Sequence, residues 1–262
     1  MNTTAQREGD LAPELAGSQN APGERATDHA RHAGRGGLIV SGGKLYFILV
    51  GLVQQVALKA LLGLDGYGAL SSALSAASIT YNPLVTASLQ GVSHAVATHP
   101  DDGDALRRVL VPHALLAFVI ALAFFLLAPL VGGLTGAPHV VPALRLLAAV
   151  MLTYGLYAPL VGALNGRARF TRQASLDVLA ATLRTLGLLG GAYWLASARI
   201  GVDWSRVEGA ALGFALSSAL ILLLALALVR IGERPSAGPH AREYAHYLLP
   251  ILFGQVLLNL LF

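Results

Sequence analysis

The chain has 262 residues, of which 55% are hydrophobic and only 12% charged, with a mean hydropathy of +0.63. A soluble domain carries about 25% charged residues, so this composition excludes an ordinary water-soluble globule and points to a membrane protein. The net charge of +4 is scattered through short connections and forms no patch for nucleic acid; the absence of cysteine removes disulfides, thiolate metal sites and cysteine nucleophiles.

Residues 1–34 are rich in Ala, Gly, Glu, Arg, Asp and His and lack an apolar run, which predicts a disordered tail that is not a cleaved leader. Apolar stretches then follow one another to the end of the chain. The first, Leu38 to Leu62, stops at the turn sequence Gly63-Leu64-Asp65-Gly66. The second runs from Tyr67 to Ala97, and an acidic loop containing Pro100 ends it. The third covers about Val109 to Val131, the fourth about Val140 to Leu164, the fifth Gln173 to Ala198 and the sixth Arg206 to Val229. Each is long enough for a hydrocarbon core of about 30 Å. A Pro-rich connection, 232–243, precedes a seventh stretch, 244–262. The expected fold is all-α and polytopic: a six-helix lobe over 35–231, a linker, and the first helix of a second lobe. On this reading the chain is a fragment.

Arginines sort the connections. Arg25, Arg31 and Arg35 precede the first stretch, Arg107 and Arg108 follow the second, Arg167, Arg169 and Arg172 follow the fourth, and Arg230, Arg234 and Arg242 follow the sixth. Of the alternate connections, only the one between the fifth and sixth stretches holds any, Arg199 and Arg206. The positive-inside rule predicts a cytoplasmic N-terminus in a multi-pass protein of the cytoplasmic membrane.

The second stretch carries Ser71, Ser75, Ser78, Asn82, Thr86, Gln90 and Ser93 at steps of three or four. Such a stripe is costly against lipid, so it lines a wet cavity or glues helices together. Tyr81-Asn82-Pro83 predicts a kink there, because Pro83 removes a backbone donor. On the first stretch Ser41, Lys44, Gly51, Gln55 and Lys59 share a face, with Lys44 about two turns inside the membrane; Lys59 and Arg145 reach an interface by snorkelling. On the fifth, Gln173, Asp177, Arg184 and Gly191 share a face. Arg184 lies about 18 Å along the helix from Arg172, near mid-bilayer, where a guanidinium needs water, a counter-charge or an anion. The pairs Gly162/Gly166, Gly187/Gly191 and Gly209/Gly213 have the spacing of close helix contacts. The candidate cavity residues are therefore Lys44, Gln55, Ser78, Asn82, Gln90, Asp177 and Arg184. No Walker loop, dinucleotide fingerprint or HExxH pair occurs, and the histidines show no ligand spacing, so neither an enzyme nor a cofactor is expected.

Gly34-Arg35-Gly36-Gly37, Gly42-Gly43-Lys44 and Gln54-Gln55 resemble the first helix of polysaccharide flippases. Leu62-Gly63, Tyr67-Gly68, Ser72-Ala73, Asn82, Gln90 and Val92-Ser93 are similar to the turn and second helix of that group. So is Ala163-Leu164-Asn165-Gly166, with Phe170, Gln173 to Asp177 and Thr182-Leu183-Arg184, to its fourth-to-fifth helix junction. The resemblance, which extends to multidrug exporters and lipid II flippases, implies two six-helix lobes around a cavity. It implies movement of an undecaprenyl-diphosphate-linked oligosaccharide by alternating access, with Lys44 and Arg184 facing the diphosphate or acidic sugars. The partners implied are the bilayer, the lipid-linked glycan and glycan polymerase machinery. Two alternatives stay open on the residues: a cation-coupled multidrug antiporter, and a membrane scaffold that transports nothing.

Overall fold

The computed structural model describes residues 22–98, 105–197, 204–229 and 241–261. It is helical throughout the described residues: α1 (Pro22–Thr98), α2 (Ala105–Leu134), a one-turn 3₁₀ helix (Pro138–Val140), α3 (Val141–Gly166), α4 (Phe170–Ser197), α5 (Trp204–Leu228) and α6 (Ala241–Leu261). α1 starts at Pro22, so helical backbone reaches into the stretch expected to be a disordered tail. The predicted connection 232–243 lies outside the described residues up to 240.

α1 is two helices joined at a break. Within it only Gly63 has non-helical angles, φ 71° and ψ −178°, a region open to glycine and closed to residues with a Cβ. Residues of the first arm (22–62) and second arm (64–98) line the same cavities, Gln54 and Leu58 with Leu70 and Leu74, Ser41 and Lys44 with Val85 and Leu89. The chain therefore reverses at Gly63, as the turn sequence predicts. The break frees carbonyls at the end of the first arm, and Arg206 Nη1 donates to one of them, Leu61 O, at 3.1 Å. This contact gives a structural task to one of the two arginines that dissent from the charge pattern. Pro83, where a kink was expected, sits inside helix with no departure from helical angles.

Counting the arms separately, α1 to α5 supply the six helices of the expected lobe, and α6 packs on it through Tyr244 and Leu248 against Gly91. Among the described residues four helices are long and apolar enough to cross a membrane: Ser41–Thr98, at 58 residues long enough to cross twice, Leu106–Leu134, Pro138–Gly166 and Arg206–Leu228. α4 has 28 residues, about 42 Å of rise, and carries Gln173, Asp177 and Arg184 along one side. α6 (Ala241–Leu261) covers the seventh stretch and contains the apolar run Tyr244–Leu258.

α3 occupies the centre. It packs against the second arm of α1, α2 and α5, and Leu144, Leu147, Met151, Leu160 and Leu164 are fully buried. Lipid is as apolar as leucine, so burial of apolar surface does little to hold such helices together; close van der Waals approach does. Small residues provide it. A Cβ on Gly155 would stand 2.7 Å from Ala117 Cβ of α2, and one on Gly162 would stand 2.9 Å from Leu89 O of α1. The outward faces are apolar, with Leu45, Ile48, Leu52 and Val56 on α1 and Val111, Leu115, Phe118 and Leu122 on α2 exposed. Faces of that extent fit hydrocarbon and not water.

One polar contact interrupts the apolar packing. His113 of α2 is completely buried, and its Nε2–H lies 2.9 Å from Ser88 Oγ of α1 and 3.0 Å from the Gly155 carbonyl oxygen of α3. Ser88 in turn donates to the Leu84 carbonyl. A single imidazole thus joins three helices.

The α3–α4 connection is a tight turn. Ala168 adopts the left-handed conformation (φ 53°), and the Arg169 N–H closes on Leu164 O at 2.8 Å. α3 and α4 are thereby set side by side at the end of the bundle where Lys44 and Asp177 lie.

Candidate functional site

A cavity of about 890 Å³ opens between both arms of α1, α3 and α4. α4 supplies Gln173, Asp177 and Arg184, which with Ala180 fall on one helical stripe, and α1 supplies Ser41, Lys44, Ser78 and Asn82. The first arm of α1 approaches closely where Gly43 meets Ala174, at 3.7 Å from a hypothetical Cβ. That small–small contact brings the next residue, Lys44, into the electrostatic field of Asp177, one turn along from Ala174. Two further contacts tie the same helices together. The hydroxyls of Tyr46 and Thr182 meet at 3.0 Å, and Thr185 Oγ1 donates to Gln54 Oε1 at 3.1 Å in a buried position.

Arg184 stands where the space divides. Besides the large cavity it lines a pocket of about 190 Å³ toward Gly63, with Gln54, Gln55, Ser71 and Ser75, and another of about 150 Å³ beside Thr185. Its guanidinium lies over the Phe214 ring of α5, 5.0 Å from the centroid, a cation–π arrangement. Its Nε is buried and has no hydrogen-bond partner. Tyr154 touches the same Phe214 edge-on at 5.9 Å and stacks on Tyr81 at 6.1 Å, so aromatic rings wall the cavity around the cation. A guanidinium stays charged at any physiological pH, and rings alone leave its in-plane donors free for an anion.

Of the residues singled out in the sequence, Lys44, Ser78, Asn82, Asp177 and Arg184 line the large cavity, and Gln55 and Ser78 line the pocket toward Gly63. Gln90 lines neither and is exposed on another side of the second arm. At 100° per residue it stands about 100° round from Ser71, off the stripe. Ser78 donates locally to Ser75 O at 2.9 Å. Asp177 and Arg184 share the stripe but have different neighbours: Lys44 for the acid, Phe214 and Tyr154 for the base.

Three groups escaped the sequence reading as cavity residues. Gln173 and Tyr157 line the cavity, are each 6% exposed, and have side-chain oxygens without a hydrogen-bond partner. Gln173 had a signal, its place on the α4 stripe. Tyr154 and Tyr157 had none, because α3 is apolar around them and nothing in its pattern marks a wet side. Among the described residues no cluster of His, Asp or Glu could hold a metal ion.

Residues 33–260 match the family described as polysaccharide biosynthesis protein. No curated protein and no solved structure matches the chain.

Proposed function

The chain belongs to the polysaccharide biosynthesis protein family, and from that premise we propose that it moves the headgroup of an undecaprenyl-diphosphate-linked oligosaccharide across the cytoplasmic membrane. Family membership and the polytopic all-helical fold support a transport role in the membrane. The finer reading rests on one observation, the half-buried Arg184 with a buried, unpaired Nε at the junction of three cavities. A diphosphate supplies the paired oxygens that a planar guanidinium binds best, while its lipid tail stays in the bilayer alongside. A cavity of about 890 Å³ has room for a headgroup and is far larger than the voids of tightly glued helices. A cation antiporter needs an acid free to take its ion, and here Asp177 lies within the field of the Lys44 ammonium, which disfavours a second cation beside it.

In this reading the tail and the Arg-rich connections lie in the cytoplasm, so that the Lys44–Asp177 end admits the substrate. Reporter fusions after Gly66, Gly136 and Val202 are expected to report the opposite side; cytoplasmic signals from two of them reverse the orientation. The function itself is tested by Arg184→Ala in cells that depend on this protein for glycan export. Export is expected to fall roughly 10- to 100-fold, the loss of a charge-assisted contact, at unchanged protein level. Arg184→Lys should restore a part, since an ammonium replaces the fork by a point charge. Normal export by a normally abundant Arg184→Ala protein would remove the diphosphate site.

A further inference from the structure

The end of the large cavity away from Arg184 has its own chemistry. Gln173 and Tyr157 sit there, each more than nine-tenths buried, with polar oxygens that the protein leaves unpaired. A buried polar group without a partner costs on the order of 1–3 kcal/mol, so two along one cavity wall imply a ligand that pairs with them. A hydroxyl suits both, because it donates and accepts: it can give its proton to the Gln173 amide oxygen and accept one from the Tyr157 phenol. Asp177 adds an acceptor between this end and Arg184, within the field of Lys44. The stacked rings of Tyr81 and Tyr154 offer the C–H face of a sugar an apolar wall. Asp177 precedes Arg184 by seven residues, about 10 Å of helix rise, the reach of a diphosphate and one sugar ring.

We propose that Gln173, Tyr157 and Asp177 form a hydroxyl-binding subsite for the sugar directly attached to the diphosphate, and that this sugar is uncharged. The inference rests on the diphosphate reading of Arg184 and extends it. A uronic acid at this place brings a second carboxylate against Asp177 and replaces the donating C6 hydroxyl by a group that only accepts. Like charges at close range disfavour it. The subsite therefore discriminates by the first sugar, whereas Arg184 recognises what every substrate of the class shares.

The test uses the full chain in detergent and three short probes: farnesyl diphosphate, farnesyl diphospho-glucose and farnesyl diphospho-glucuronate, with affinities from equilibrium dialysis. The glucosyl probe is expected to bind about tenfold more tightly than the glucuronyl probe. Asp177→Asn should shrink that ratio to about twofold, because the repelling charge is gone. Tyr157→Phe, which keeps the ring, should reduce the advantage of the glucosyl probe over farnesyl diphosphate by about three- to tenfold. Equal binding of the two sugars by the unaltered protein overturns the subsite while leaving the diphosphate site standing. Failure of farnesyl diphosphate to bind overturns the diphosphate site, and the subsite with it.

Discussion

One stripe of α4 changes character halfway along. From Gln173 to Arg184 it faces a cavity and carries an amide, a carboxylate and a guanidinium. From Gly187 to Gly191 the same stripe has no side chains and closes on α5. A Cβ on Gly213 would run into the Gly187 backbone, and one on Gly191 into that of Gly209. The difference between the halves lies in distance and not in polarity alone. The glycines let two backbones touch, so α4 is held at its far half, while its near half stands off and leaves room for a ligand. Arg184 sits one turn before Gly187, and Phe214 follows Gly213. The tightest seam of the lobe thus sets the ring under the guanidinium.

The sharpest way to break this comparison is to wedge the seam. Gly213→Leu places a large side chain where no atom fits and should cost about 3 kcal/mol or more, seen as lost abundance and a lower unfolding temperature in detergent. Gly190→Leu, on the open surface of α4, should change neither. If Gly213→Leu folds normally, the seam is not what fixes α4.

A second experiment contrasts wet and dry positions of the natural cysteine-free chain. Cysteines at Ser78, Asn82 and Ala180, all lining the cavity, should react with small polar thiol reagents. Cysteines at Ala77, Leu84 and Ala192, each at most 1% exposed, should react at least about tenfold more slowly, since only opened states expose them. Equal rates at Ala180 and Ala192 would erase the distinction between the halves of the stripe.

The smallest effect concerns how the open half is tied down. Thr185 and Gln54 form a buried hydrogen bond to the first arm of α1. Thr185→Val and Gln54→Leu, combined in a double-mutant cycle on unfolding, should give a coupling of about 0.6 kcal/mol, the usual value for such bonds between membrane helices. A coupling of zero would mean that apolar packing alone closes that side.

The sequence carried the helices well, for physical reasons. Hydrocarbon demands long apolar segments, and glycine marks the one place where α1 must turn. The α4 stripe was also readable, since spacing alone puts Gln173, Asp177, Arg184 and Gly191 on one side. What lay across from that stripe was not readable. The partnership of Lys44 with Asp177 depends on how closely Gly43 meets Ala174, and that of Arg184 with Phe214 on the glycine seam. Such distances come from packing between separate helices, more than a hundred residues apart in the chain for the first pair and about 30 for the second. Gln90 teaches a narrower lesson: steps of three and four can drift off a face even while each step is helical. Tyr157 lay beyond any reading of pattern, because an apolar helix at the centre of a bundle is uniform in sequence whatever it lines.

The buried His113 has a consequence for how the bundle assembles. α2 presents mainly interchangeable leucines, alanines and valines, and sliding it by one turn, about 5.4 Å, would exchange like for like almost everywhere. The imidazole is the exception. In hydrocarbon no water can stand in for Ser88 or the Gly155 carbonyl, and each abandoned polar group costs several kcal/mol. His113 therefore works as a registration mark: it makes one axial setting of α2 distinguishable from its neighbours, on a helix whose apolar surface would accept several.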